Sequence, residues 1–391
     1  MRDSILSLLL LAMSAMVGAA TLSEQIAAMA PGTWAHIQAE NEARAIDPDP
    51  GGAAPYRGNT GFGSIWEAWN SGAWAPSYGT CGGILYYGGG HVDYYGNQVV
   101  VLDLCGTTGQ PKWTALTQPY AGALAFPYPT GAFPNGTPSP PHNYDGMEFD
   151  PNTNLLWVSE SQMMNTTATV SGSGWLFNPT TKKWAGPFQH RGGFEGTAMY
   201  DTKRKLIWFQ PAQGRAGELT SVDTATNPPT FSYYGWPALY GAGTVDSILA
   251  YNPDADTAVM TTFRNAPGML LERSLAAPKS SWVKMTQLNA PASLRAQHAF
   301  EWSPSRHAFI VWMDHDLDGK VYEMKRTSAT EYTWSLLTAP SNTLLPITVA
   351  HNGSFKKFRL VTVASVEVLI GQLRLADGVM AFRVPTVGAL P

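Results

Sequence analysis

Side chains able to hold a polar ligand recur at a fixed interval in this chain. Tyr144, Glu195, Asp246 and Gln297 stand 51 residues apart, and Asp145, Gly196, Ser247 and His298 follow in the same register. His91, Asp93, Tyr94, His142 and Arg264 lie in comparable polar stretches between apolar runs. Converging on one mouth, such His, Tyr, Arg and carboxylate groups would suit a hydroxylated or anionic ligand such as a sugar, because they combine donors, acceptors and fixed charge. The candidate ligand-binding set is therefore His91, Asp93, Tyr94, His142, Tyr144, Glu195, Arg264, Gln297 and His298. A His–carboxylate pair could also move protons. No nucleophile motif or phosphate loop names a reaction, so no catalytic residue is assigned.

One stretch resembles metal chemistry. DHDLDG, Asp314 to Gly319, opens like a calcium loop, with Asp314, Asp316 and Asp318 as candidate ligands. The pattern then departs, with Tyr322 and Lys325 at its ninth and twelfth positions. A hairpin turn at Asp318-Gly319 is the other reading. No cofactor is required by anything else in the chain, and calcium is the one ion the sequence suggests.

The elements that must position these groups show in a second periodicity. FDPNTNLLWV, YDTKRKLIWF, YNPDADTAVM and WSPSRHAFIV begin at Phe149, Tyr200, Tyr251 and Trp302, again 51 residues apart, with a fainter copy from His351. Each pairs a tight Asp/Asn/Pro/Ser turn with an apolar strand. A further apolar strand follows in each unit, and most units close on an aromatic-led edge strand, at Trp184, Phe231, Trp282 and Trp334. Four strands in about 50 residues is the signature of a propeller blade. Ahead of these, GILYYGGGHVDYYGNQVVVLDL supplies the middle strands of a first blade, with its inner strand near Ala73 and its outer strand from Trp113.

The fold class is thus all-β: a single β-propeller of four-stranded blades, six in number, with a seven-bladed ring using residues 40–75 as the alternative. The sixth blade, residues 344–385, lacks an outer strand. The Trp-led segment Thr33 to Ile37 matches one, and pairing it with Val379 to Val384 would close the ring and remove open sheet edges. The short turns share one face of such a ring. The longer, irregular loops that carry the candidate residues share the other, where function tends to sit.

Composition agrees with many strands and turns. Aromatics are 12% and charged residues 14% of the 391 residues, with 38 glycines and 29 prolines. A net charge of −4 without a Lys/Arg run argues against nucleic acid as a partner. Residues 1–20 read as a signal peptide, with an apolar stretch too short for a comfortable membrane span. Residues 21–32 form an N-terminal segment with a short helix from Leu22, and 33–391 the propeller. The mature chain is expected to be secreted, periplasmic or surface-exposed, monomeric and without a membrane span. Cys81 and Cys105 fall opposite each other if the first hairpin is centred near Asp93, which suits a disulfide in an oxidising compartment; two buried thiols are the alternative.

The apolar strand, glycine run, loop, Asp-ending strand and Trp113 resemble a kelch motif, and the mature chain is similar to the galactose-oxidase/kelch-like propeller superfamily. The resemblance implies the fold. It leaves activity open, since that superfamily includes oxidases, mutarotases, lyases and binding modules. Its copper-radical oxidases need a Cys crosslinked to a Tyr, which does not match two cysteines placed for a disulfide. The expected function is a ligand-binding or interaction module for a carbohydrate or a surface protein. The alternative is a carbohydrate-active enzyme of lyase or mutarotase type.

Overall fold

A computed structural model describes residues 20–39, 42–90, 93–122, 131–159, 172–191, 196–211, 218–235, 247–262, 268–292, 298–313, 318–345 and 352–388. Six antiparallel sheets make a six-bladed propeller. The inner strands are Gly72–Ala75, Met147–Asp150, Thr197–Asp201, Ile248–Asn252, Ala299–Ser303 and Phe358–Val363. Each touches the next, and the sixth meets the first, so the ring is closed.

The first blade is built as its glycine-flanked hairpin dictates: Gly83–Tyr86 pairs with Val100–Asp103, and Lys112–Ala115 forms the outer edge. The disulfide Cys81–Cys105 continues that register beyond the strand ends, with the Cα atoms 5.6 Å apart. The sixth blade takes its outer strand from the other end of the chain, Trp34–His36 on Met380–Arg383, with Trp34 opposite Phe382. Trp34 is the packing anchor of that closure. Its ring lies 4.8 Å from Trp312 and 5.3 Å from Phe382, and its Nε1 donates to the Gly319 carbonyl at 2.7 Å.

Residues 40–75 do not add a seventh blade. From Glu42 onward this stretch carries 3-10 turns at Glu42–Ile46 and Pro55–Arg57 and one helical turn at Ser64–Glu67, before entering the first inner strand. Prolines, glycines and a lack of alternation leave it no strand to offer. Blade five gains a strand instead: Thr286–Leu288, just past the blade-four edge strand Val283–Lys284, pairs in parallel with Glu331–Leu336. A short helix, α1 (Leu22–Ala28), precedes the ring. Thr21 and Glu24 cap it reciprocally, and Leu22 and Ile26 are fully buried against the sixth blade.

The repeated turns have a common local cause. In blades two to four, Asp150, Asp201 and Asn252 accept hydrogen bonds from the backbone N–H groups of Asn152, Lys203 and Asp254 at 2.8, 2.9 and 3.1 Å. Ser303 does the same for Arg306 at 3.2 Å. Each turn then ends on a residue with positive φ, at Asn154, Lys205, Asp256 and His307. A short polar side chain at the strand end thus fixes the reversal, and the next strand starts in register.

Candidate functional site

Each inner strand descends from the loop face to the short-turn face, so residues in one 51-residue register lie at one depth of the channel. The deep layer holds Asp145, fully buried. It accepts a short hydrogen bond from the Thr197 hydroxyl and one from the Leu249 N–H at 3.0 Å, and its Oδ1 lies 3.0 Å from Lys356 Nζ. Lys356 also donates to the Ala198 carbonyl at 2.6 Å, and its own N–H bonds the His298 carbonyl at 3.3 Å. Asp145 and the Lys356 ammonium therefore join blades two, three, four and six, and the Lys356 backbone adds blade five.

One layer further out stand Glu148 and Glu301, equivalent in the repeat, with Arg359 between them. Arg359 Nη2 lies 3.4 Å from Glu148, its Nε 2.9 Å from Glu301 Oε1, and its Nη1 donates to the Gly72 carbonyl of blade one at 3.0 Å. The Nε–Glu301 contact is close as an ion pair but is not aligned as a hydrogen bond. The Glu301 side chain keeps 12% exposure. Burial pushes the Asp145 carboxyl up to about 6, opposed by Lys356 and by the bond from Thr197. Burial likewise pushes Glu301 up to about 7, with Arg359 and Lys356 pulling against it.

This charged layer is the floor of a cavity of about 320 Å³ that opens among the short turns. Trp74, Tyr200, Tyr251 and Trp302 line its wall, and the exposed Pro76, Pro151, Thr202 and Pro304 its rim. Phe149, Tyr200, Tyr251 and Trp302 share one register, which is why a column of aromatics surrounds the mouth. The Tyr251 hydroxyl donates to Asp256 at 3.1 Å, fixing that ring against the turn below it. An aromatic wall above paired charges can stack on a ring-shaped ligand and hydrogen-bond its polar edge.

The described residues among those singled out in the sequence lie elsewhere. His91, Glu195, Arg264, Gln297, Asp314 and Asp316 are outside the described residues. Of the rest, His142, Tyr144 and His298 are each 1% exposed. The His142 ring packs 4.2 Å from Tyr144, and Tyr144 lies edge-on to Phe355 at 5.3 Å, in the deep end of the ring. Tyr94 is buried against Tyr56 and Phe62, and its hydroxyl accepts from Gln98 at 2.6 Å. Tyr94 lines a separate surface cavity of about 280 Å³ beside Arg44 and Asp47. The Asp93 carbonyl accepts from Thr60 and Gly61, at 2.9 and 3.0 Å. None of these five lines the channel cavity. Asp318 is held by its neighbour: its carboxylate lies 2.5 Å from Lys320 Nζ and accepts the Lys320 N–H at 3.0 Å. Among the described residues, no three His, Cys, Asp or Glu side chains group as metal ligands.

Glu148, Glu301, Arg359 and the aromatic wall escape a search for polar loops because they sit inside strands, and Lys356 because it stands in the short turn that enters the sixth inner strand. The signal that could have found them is a glutamate recurring at positions 148 and 301 within apolar inner strands, one residue before the aromatic column.

No known protein family matches the chain, and no curated protein matches it in sequence. Solved structures resemble it in fold. YjhT is 13% identical, with 82% of this chain and 97% of that one covered at a TM-score of 0.50. A protein of unknown function from Bacteroides thetaiotaomicron is 9% identical over 90% of this chain and 75% of its own, with a TM-score of 0.49. TolB from Acinetobacter baumannii is 13% identical, with a TM-score of 0.40; the match covers 68% of this chain, which spans 56% of that protein. At such identity the likeness to YjhT supports the propeller fold alone. No helix among the described residues is long and apolar enough to cross a membrane.

Proposed function

We propose that this chain is a ligand-binding propeller that takes a carbohydrate in the channel cavity at its short-turn face. One observation carries the reading: Trp74, Tyr200, Tyr251 and Trp302 stand over a floor of Glu148, Glu301 and Arg359 in a space of about 320 Å³. Sugars present apolar C–H faces and hydroxyl edges, and this combination of stacking surface and charged hydrogen-bonding groups meets both. A glycan array followed by calorimetry tests it. Trp74→Ala and Trp302→Ala should each weaken the selected glycan at least tenfold while leaving the melting curve cooperative. Loss of binding in Glu195→Ala/His298→Ala, with none in the tryptophan variants, would move the site to the loop face.

The second reading is a carbohydrate-active enzyme of lyase or mutarotase type. Glu301 favours it, as a carboxyl pushed up to about 7 at the floor of a cavity can give or take a proton at neutral pH. New unsaturated or reducing ends, or accelerated anomer exchange, would establish it; their absence with retained binding leaves the module.

The signal-like residues 1–20 and the disulfide further support an exported, monomeric protein. Calcium at Asp314, Asp316 and Asp318 is a separate proposal, and a melting temperature unmoved by calcium and by chelator removes it.

A further inference from the structure

We infer that the ligand of the channel cavity carries a positive charge: an amino sugar, with its ammonium group against Glu301 and its ring on the aromatic wall. The inference rests on the carbohydrate-binding reading of this cavity and adds the chemistry that selects among carbohydrates.

The charges of the axis do not balance. Among the described residues, Asp145, Glu148 and Glu301 face Lys356 and Arg359 in one network of ion pairs, three carboxylates against two cations. Lys356 is committed to the deep side, at 3.0 Å from Asp145 and bonded to the Ala198 carbonyl. Arg359 spans Glu148 and the Gly72 carbonyl and gives Glu301 only an unaligned Nε contact. Glu148 and Glu301 both line the cavity and share that one guanidinium, which leaves one negative charge over at the floor, and Glu301 is the one of the two without a hydrogen bond from Arg359. In a cavity of low dielectric such a group either keeps a proton or gains a cation. An ammonium would bring the cluster to three against three. A ligand carboxylate would add a fourth negative charge, and a neutral sugar would leave the excess standing. Trp74, Tyr200, Tyr251 and Trp302 favour the same choice, because the faces of electron-rich rings attract cations.

Proton and ammonium compete for the same oxygen atoms. Glu301, with Asp145, Glu148, Lys356 and Arg359 as its charged neighbours, is pushed up to about 7 by burial. Binding of the cation should therefore weaken as pH falls below about 7, approaching tenfold per pH unit, the loss that one competing proton imposes, and above neutrality the ligand amine gives up its own charge, so binding should peak near pH 7.

The test compares, by calorimetry, a glucosamine tetramer with its fully N-acetylated form, whose amides are neutral. The free amine should bind at least tenfold more tightly at pH 7, and Glu301→Gln should erase the difference together with the loss on the acid side. The wild-type comparison stands even if that variant folds poorly. Equal affinity of the two tetramers overturns the inference and leaves the carbohydrate reading intact. No binding of either tetramer or of any arrayed glycan overturns the carbohydrate reading itself. A lysine-containing peptide that binds when both tetramers fail would overturn the amino sugar as the ligand.

Discussion

Lys356 Nζ lies 3.0 Å from Asp145 Oδ1 on the propeller axis, so the last blade is tied to the second through a pair in which both side chains are 2% exposed or less. The two residues are 211 positions apart in the chain. Around them, Thr197 and Leu249 donate to Asp145 Oδ2 and Lys356 donates to the Ala198 carbonyl, while Asp145 Oδ1 has the ion-pair contact with Lys356. The pair is an assembly device that ties blades two to six about a shared charge.

Removing the cation should therefore be costly. Lys356→Met leaves Asp145 buried and uncompensated, and the expected loss is about 3–5 kcal/mol in urea unfolding. Lys356→Met/Asp145→Asn should recover part of it, because no unpaired charge remains.

The pH dependence of stability follows from the sign of the shifts. Asp145 and Glu301 are raised in the folded state, to about 6 and about 7. Between about pH 4 and 7 the folded chain holds more protons than the unfolded one, so stability falls as pH rises and levels off above about pH 7. Asp256 works in the opposite sense: the hydrogen bond from Arg204 holds it well below the usual range, and the stability it adds is lost as pH falls below about 4. Thermal melting from pH 3 to 8 should show its maximum near pH 4–5.

The disulfide closes a loop with a sequence separation of 24. Cys81→Ser/Cys105→Ser should cost about 3 kcal/mol by chain entropy, read as a lower urea midpoint. Mass spectrometry under non-reducing conditions checks that the wild-type bond forms.

Closure of the ring should depend on one aromatic. Trp34 is 4% exposed and packs on Trp312, Phe358 and Phe382. Trp34→Ala should destabilise by about 3–5 kcal/mol. Deleting residues 1–37 exposes the edge of Met380–Arg383 and should produce aggregation visible by light scattering.

Much of the fold was written locally. A 51-residue interval, an Asp, Asn or Ser at the end of the inner strands of blades two to five and an apolar run after it determine hairpins, and hairpins of that spacing determine blades. The Trp at position 34 announced the missing outer strand, because it matches Trp184 and Trp334 in residue type and place. These features depend on neighbours a few residues away, and a sequence displays such neighbours directly.

The site was not local. Glu148, Glu301, Lys356 and Arg359 come from blades two, five and six, and only closure of the ring brings them within 4 Å of one another in a chain of contacts. Read along the chain, Glu148 and Glu301 are single acids in apolar strands, and the aromatics after them mark turns. His142, Tyr144 and His298, polar and well spaced, instead pack into the deep end of the channel. The sequence by itself determined the blades and the strand that closes them, since backbone hydrogen bonding and turn chemistry act over short separations; that they number six and not seven was decided by the structure. Which charged groups share the axis, and which face of the ring carries a cavity, was decided by the tertiary structure, because burial and the pairing of charge depend on distances that only the closed ring sets.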